Sequence, residues 1–295
     1  GGRVIRVGEV EITRVEELLI EEPSTLFAEW QPALAEEHRG WLVPPHYRPE
    51  ADVFGVSIHS WIVRTPRRTV VIDACSGNGK ERPASPRFHG LDTPFLERMR
   101  AAGAVPEQVD TVILTHLHVD HVGWCTRQEG ERWVPTFPNA TYLMPRVECE
   151  TRDPRRGAAN RSPATHRPYL DSVQPVIDAG QARIVEGDET LDAEISLMPV
   201  PGHAPGQMAV LVRSQGEQAL FAADVLHSPV QIHHPDWNSK YCEDPELARR
   251  TRARVLEFCA ETGALLLPAH FRAPHCGHVR RRPGGYAFEP AAGHP

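Results

Sequence analysis

Several features that would assign this protein to a special class are absent from its sequence. The 295 residues contain no run of about 20 consecutive apolar residues, the length that spans a bilayer. The chain does not open on the basic-then-apolar pattern of a secretory signal peptide. The six cysteines include no CxxC pair, which disfavours a disulfide framework and favours reduced thiols. These absences predict a cytoplasmic protein without a membrane-spanning segment.

Charge is not concentrated in the way that marks a nucleic-acid-binding protein. The net charge is −7, and the basic residues are dispersed along the chain. The one dense basic run, the arginines at 280–282, is predicted to be a solvated tail. The length and apolar content suit a folded domain with a substantial core. We expect neither nucleic acid nor a membrane as a partner.

Short apolar runs of strand type alternate with helical segments along most of the chain. A helix is predicted from Asp92 to Gly103, and a second begins at the Asp244-Pro245 pair and ends at Gly263. Residues 23–52 and 146–168 are predicted to be irregular. Strands are predicted at 4–15, 56–65, 68–75, 109–115, 140–145, 182–187, 194–200, 207–213, 218–224 and 264–270. This order predicts an α/β fold with two sheets and helices outside them.

Histidine and aspartate are unusually dense at the ends of the predicted strands. The stretch THLHVDHVGW (115–124) stands at the end of one strand, and Asp73, His203, Asp224 and His270 each stand at or just after the end of another. Side chains at strand ends are held by rigid elements and converge at one edge of a sheet. A zinc ion takes about four N, O or S ligands, so two zinc ions sharing one carboxylate need about seven. The chain supplies seven such residues: His116, His118, Asp120, His121, His203, Asp224 and His270. We therefore expect two divalent metal ions, Zn²⁺ in preference to others.

This ordered series of motifs resembles the metallo-β-lactamase-fold hydrolase superfamily. The resemblance runs from Asp73 through HLHVDH, PGHAPGQ and AADVLH to PAHF, over roughly residues 55–275. It implies a four-layer αββα sandwich with the metal site at one edge of the two sheets. We expect a single domain over 1–295, with a core at about 55–275 and with residues 1–54 as N-terminal strands and a lid.

The resemblance further implies a role for each matching residue. It assigns His116, His118 and His203 to the first metal. Asp120, His121 and His270 go to the second metal, and Asp224 bridges the two. Asp73 is expected to orient the metal ligands without binding a metal itself.

The segment DVLHSPVQIHHPDW (224–237) resembles the group of methyl-parathion-hydrolase-like and quorum-quenching-lactonase-like proteins. This resemblance implies a hydrolase in which a bridging hydroxide opens a lactone or cleaves a carboxylic ester, with Asp120 and Asp224 as catalytic residues. We expect His227 and Trp237 to line the substrate pocket, and a homodimer is common in that group. Phosphotriester hydrolysis, a glyoxalase-II-like thioesterase and a metal-binding protein without turnover remain as alternatives.

Overall fold

The structure is a computed structural model that describes residues 3–156 and 166–292. Contacts divide the chain into two compact units. Unit 1 comprises Gly1–Leu18 and Ile58–Glu189, and unit 2 comprises Leu19–Ser57 and Thr190–Pro295. The predicted single domain over 1–295 stays a prediction.

Strands account for much of the described chain, and most of them lie where the apolar runs predict. They are β1 (Val4–Val7), β2 (Val10–Pro23), β3 (Tyr47–Arg48), β4 (Val53–Arg64), β5 (Thr69–Ile72), β6 (Thr111–Ile113), β7 (Thr126–Glu129), β8 (Arg132–Pro135), β9 (Thr141–Pro145), β10 (Ala182–Val185), β11 (Ile195–Pro199), β12 (Met208–Ser214), β13 (Glu217–Ala223), β14 (Leu265–Pro268), β15 (Gly277–Arg282) and β16 (Gly285–Pro290).

The α-helices are mostly short. They are α1 (Leu34–Glu37), α2 (Arg39–Leu42), α3 (Phe95–Ala101), α4 (Val119–Val122), α5 (Arg146–Arg152), α6 (Gln174–Asp178), α7 (Val230–His233) and α8 (Pro245–Thr262). One turn of π-helix, Tyr169–Val173, leads into α6. Among the described residues, no helix has both the length and the apolar character that crossing a membrane requires.

Parallel strands form one side of the first sheet. Within the described residues its order is β1-β2-β4-β5-β6-β9-β10, with β3 added beside β4. The strands β5, β6, β9 and β10 run parallel to one another, whereas β4 pairs antiparallel with β5. Nearly all residues of β5 and β6 are buried, which explains why both strands read as continuous apolar runs. The chain therefore leaves β5 and β6 in the same direction, toward Asp73 and His116.

Unit 2 contains the second sheet, in the order β11-β12-β13-β14-β15-β16. Helix α8 packs on it through Val255, Leu256 and Cys259. The prediction for the ends of this helix is confirmed: the side chain of Asp244 accepts a hydrogen bond from the Leu247 N–H at 3.1 Å, and Gly263 ends the helix with a φ of 72°.

Three local predictions are wrong. The helix expected from Asp92 begins at Phe95, because Pro94 occupies the N-cap position. The segment expected to be irregular at 146–168 begins with α5, and its residues 157–165 lie outside the described part of the chain. The arginines at 280–282 belong to β15, where Arg280 pairs with Glu289 of β16 at 2.8 Å. Pairing with β16 and the ion pair of Arg280 with Glu289 hold this basic run in the sheet.

The segment predicted to be irregular, 23–52, and the residues that follow it contribute an aromatic cluster to the interior of unit 2. Phe27, Trp30, Tyr47 and Phe54 pack together with ring centroids about 5 Å apart in neighbouring pairs. Trp237 packs against Trp30 with a centroid distance of 6.3 Å. Aromatic rings bury large areas at this spacing, so this segment contributes directly to the stability of unit 2.

Lys80 is fully buried in unit 1 and supports a prediction about stability. Its Nζ lies 2.5 Å from Thr126 Oγ1 and 3.7 Å from the centroid of the Trp133 ring, and Asp171 is 3.9 Å away. Burial lowers the pKa of Lys80 from 10.5 to about 7, against the opposing effect of Asp171. Between these values the unfolded chain holds the proton and the folded chain does not, so raising the pH favours folding.

We expect the free energy of unfolding to rise from pH 7 to pH 9.5 more steeply in the wild type than in Lys80→Met. The excess slope should approach about 1.4 kcal/mol per pH unit, the value for one proton. Urea unfolding at several pH values measures it, with the exposed Lys240→Met as the control. Parallel profiles for the wild type and Lys80→Met would show that the folded state keeps this lysine charged.

Candidate metal centre

Unit 1 places four predicted ligands on one short stretch that follows β6. His116 is fully buried, and its ring lies 4.7 Å from that of His118 and 4.1 Å from that of His121. His118 is the N-cap residue of α4, and this single turn of helix carries Asp120 and His121. Asp120 Oδ1 lies 3.6 Å from His121 Nε2. Imidazole nitrogens and a carboxylate thus lie close together where strand β6 ends.

Asp73 and Thr115 determine which nitrogen of two of these histidines carries the proton. Asp73 Oδ1 accepts the Thr115 N–H, and its Oδ2 accepts both the Thr115 hydroxyl and the His121 Nδ1–H, all at 2.8 Å. Because the Thr115 hydroxyl donates to Asp73, it can only accept from His116 Nδ1, which lies 3.0 Å away. Nε2 of His116 and of His121 is therefore left with its lone pair, the form that binds a metal.

Glu148, a buried carboxylate on α5, also binds the stretch that follows β6. Glu148 is fully buried and accepts the Leu117 N–H at 3.0 Å. It also pairs with Arg152 at 3.3 Å, and Arg152 Nη2 lies 3.2 Å from His118 Nε2. The sequence reasoning missed Glu148 and Arg152 because it predicts no helix at this position.

Unit 2 places a second set of predicted ligands around Asp224, which directly follows β13. Asp224 Oδ2 lies 3.1 Å from His203 Nε2, and its Oδ1 lies 3.1 Å from His270 Nε2. His270 Nδ1 donates to the Ser57 carbonyl at 2.9 Å, which leaves His270 Nε2 directed at the carboxylate. His203, Asp224 and His270 are each less than 5 % exposed. The predicted bridging carboxylate therefore lies between two predicted histidine ligands.

Local backbone geometry directs the side chains of this second set. Ala223, immediately before Asp224, has a φ of 51°, which is strained for a residue with a Cβ and is typical of functional sites. Gln207, the last residue of PGHAPGQ, accepts the Asp224 N–H at 3.1 Å and donates to the Val200 carbonyl at 3.0 Å. Gly202 has a φ of 138°, and a Cβ there would lie 2.5 Å from the backbone of Ala248. Close packing thus explains the glycine before His203, and two backbone hydrogen bonds explain Gln207. The motif predicts a role for the histidine alone.

His227 lies beside this set, and Trp237 is linked to it through Gln231. His227 Nε2 is 3.7 Å from Asp224 Oδ2, and the His227 ring lies 4.9 Å from that of His203. Gln231 is fully buried; its Oε1 accepts the His227 N–H at 2.6 Å and its Nε2 donates to the Trp237 carbonyl at 3.0 Å. The Trp237 ring itself is buried and stacks on His234 at 4.1 Å.

Two shifted pKa values follow from this environment. Burial lowers the pKa of His227 well below its usual value, although Asp224 opposes the effect, so this imidazole is neutral at neutral pH. Burial alone would raise the pKa of the Cys242 thiol, but His203 and the buried guanidinium of Arg252 outweigh it and the pKa is lowered. Cys242 was not among the predicted site residues and precedes α8.

The donor chemistry of both sets fits divalent ions such as zinc. Donor atoms that share a zinc ion at about 2.0–2.1 Å lie within about 4.2 Å of one another. Within each unit the candidate donor atoms come within 4.8 Å of one another in these pairs: His116 with His118, Asp120 with His121, His203 with Asp224, and Asp224 with His270. Small side-chain movements would bring each pair onto one ion.

Comparison with known families agrees with this geometry. The model of the metallo-beta-lactamase superfamily matches residues 53–270, most of the chain. The chain belongs to the metallo-β-lactamase superfamily. The predicted resemblance and the predicted α/β fold class are thereby confirmed.

Similar proteins of this superfamily include lactonases. The N-acyl homoserine lactonase AttM of Azorhizobium caulinodans is 30% identical over 175 residues, which are 54% of this chain and 61% of AttM. The chain thus spans about three-fifths of the length of the AttM lactonases it matches. Among solved structures, the hydrolase AbOPH of the beta lactamase superfamily has a TM-score of 0.83 at 22% identity, with 100% of this chain and 99% of that chain covered. AidC, a dizinc quorum-quenching lactonase solved with N-hexanoyl-L-homoserine, has a TM-score of 0.79 at 20% identity and the same coverage. These two structures support the fold alone.

Proposed function

We propose that the protein is a two-metal hydrolase that opens lactones, with N-acyl homoserine lactones as the first class to test. The observation that carries the proposal is the pair of donor sets, in which buried carboxylates and strand ends fix the histidine nitrogens. The similarity to the lactonase AttM supports the substrate class.

In this proposal both donor sets hold the same two ions. His116, His118 and His203 bind one ion, Asp120, His121 and His270 bind the other, and Asp224 is shared between them. Five imidazoles and two carboxylates form an N/O donor set that suits zinc. The order of these residues along the chain is the order that the superfamily resemblance implies, and the proposed ions are Zn²⁺.

Bound to these residues, two divalent ions would supply a water activated at neutral pH and an electrophile for the carbonyl oxygen. Asp120 is partly exposed, and we propose that it orients the attacking water. We propose that His227, a neutral imidazole, lines the substrate pocket together with Trp237. Gln231 connects the two residues, because it accepts the His227 N–H and donates to the Trp237 carbonyl. Water adds to the carbonyl carbon, the ring C–O bond breaks, and the alcohol oxygen takes a proton from that water. The product is a hydroxy acid.

A substrate panel tests the proposal. The zinc-loaded protein should open N-hexanoyl homoserine lactone with a kcat/KM of about 10⁴ M⁻¹ s⁻¹ or more, within the ordinary range for enzymes. Ring opening releases acid, so a pH-indicator assay measures it, and the metal-free protein is the control. The panel also contains an aryl ester, methyl paraoxon, a glutathione thioester and a cephalosporin. Preference for paraoxon or for the thioester would replace the lactone proposal with that activity. Absence of turnover on every compound with two metals bound would refute hydrolysis.

A further inference from the structure

Glu17 on β2 is a buried carboxylate in unit 1 that the sequence motifs do not include. It is 2% exposed. Glu17 Oε2 accepts the Gly77 N–H at 2.9 Å and the Trp124 Nε1–H at 2.8 Å, and Oε1 accepts the Ser76 N–H at 3.0 Å. A buried carboxylate is unfavourable unless several donors surround it, and here three donors come from two different loops.

These two loops carry residues of the candidate metal centre. Ser76 and Gly77 follow Asp73 on the loop after β5, and Trp124 follows His121 on the loop after β6. Main-chain hydrogen bonds connect the loops: the Ala74 N–H donates to the His121 carbonyl at 2.8 Å, and the Trp124 N–H donates to the Ala74 carbonyl at 2.6 Å.

The approach of the two loops is unusually close. The Gly123 N–H donates to the Cys75 carbonyl at 2.7 Å, and a Cβ on Gly123 would lie only 1.9 Å from the carbonyl group of Ser76. The loops therefore pack main chain against main chain, and Glu17 binds both of them at this point.

We propose that Glu17 is a positioning residue that sets the separation of these two loops and thereby aligns Asp73 with His121. The inference rests on the proposed metal site. It connects strand β2 to the His121 Nδ1–H···Asp73 hydrogen bond, which holds the His121 Nε2 lone pair in place. Mutation of a residue that hydrogen-bonds to a metal ligand typically lowers metal affinity or activity by about 10–100-fold.

Burial raises the pKa of Glu17 to about 7, against the opposing effect of its hydrogen bonds. Above that pH, Glu17→Gln changes both the charge and the number of acceptors while keeping the shape of the side chain. If the amide oxygen accepts the Ser76 N–H, the amide NH₂ faces the donors of Gly77 and Trp124. If the amide is flipped, its NH₂ faces the Ser76 N–H. In either orientation the amide NH₂ faces at least one N–H group of the loops. Two donors cannot hydrogen-bond to each other, so the loops must move apart.

Cobalt binding to the metal-free protein tests this role without reference to any substrate. We expect Glu17→Gln to weaken binding of one Co²⁺ by about 10-fold or more and to alter the visible absorption of the bound cobalt. The control is Glu16→Gln, which changes the neighbouring residue of the same strand, a partly exposed glutamate that pairs with Arg14. Its cobalt affinity and spectrum should match the wild type.

A second variant covers the case in which Glu17→Gln does not fold. Trp124→Phe keeps the carboxylate and removes only one of its three donors, so it should change affinity and spectrum in the same direction by about 2–5-fold. If folded variants bind cobalt with wild-type affinity and spectrum, the positioning role is refuted, even if their unfolding free energy falls. If the wild type binds no Co²⁺, the proposed metal site itself fails.

Discussion

Asp224→Ala is expected to abolish hydrolysis and to lower the metal content of the purified protein. Asp224 lies 3.1 Å from both His203 Nε2 and His270 Nε2, and its backbone N–H is fixed by Gln207. Its removal deletes the only carboxylate described among these histidines of unit 2, and with it the negative charge that balances bound cations. We expect kcat/KM for the lactone to fall by more than about 10³-fold. This loss exceeds the effect of removing a residue that only hydrogen-bonds to a metal ligand.

Metal analysis and steady-state kinetics measure both consequences. Asp236→Ala is the matched control, because Asp236 is an exposed aspartate of the same unit whose backbone carbonyl, and not its carboxylate, accepts from Arg249. The control should keep full activity and metal content. If Asp224→Ala retained activity, the assignment of the shared ligand would be wrong.

Asp73→Asn is expected to have the second largest effect, a loss of about 10–100-fold in metal affinity. The asparagine offers one acceptor oxygen where the aspartate accepts from Thr115 and His121 through two. Its NH₂ group would face either the Thr115 N–H or the His121 Nδ1–H. In the second case the His121 proton moves to Nε2, and the lone pair that binds the metal is lost.

Asp110→Asn is a close structural control for this change. Asp110 lies at the opposite end of β6, where it accepts the Thr69 N–H at 2.8 Å and the Thr111 hydroxyl at 2.7 Å. Both aspartates thus bind a backbone N–H and a threonine hydroxyl, but Asp73 also binds a predicted metal ligand. Competition with a zinc chelator measures the affinities. Equal loss in both variants would mean that Asp73 acts only on the packing of β6.

The superfamily and the location of the candidate site could be predicted from the sequence. Local sequence predicts both the strands and the candidate site residues. Apolar runs identify β5, β6 and β13. The residues that follow these strands include Asp73, His116 and Asp224. Each strand and its candidate site residue lie within a few residues of each other in sequence, so no long-range information is needed to place the candidate site residues at the strand ends.

The residues that support these ligands could not be found in the same way. Glu17 is 59 residues from Ser76 and 107 from Trp124 in sequence. Gln207 and Gln231 are of a type seldom used to bind metals, and their roles depend on which backbone groups they meet after folding. The aromatic packing of residues 24–54 also depends on tertiary contacts, because Phe27 and Trp30 have no local periodicity that indicates burial.

Titration of the metal-free protein with zinc tests the two-metal proposal most directly. Lactone opening should rise with added Zn²⁺ and level off at two ions per chain, and chelation should reverse it. Full activity in the metal-free protein, or activity that is complete at one ion per chain and unchanged by a second, would contradict a two-metal hydrolase.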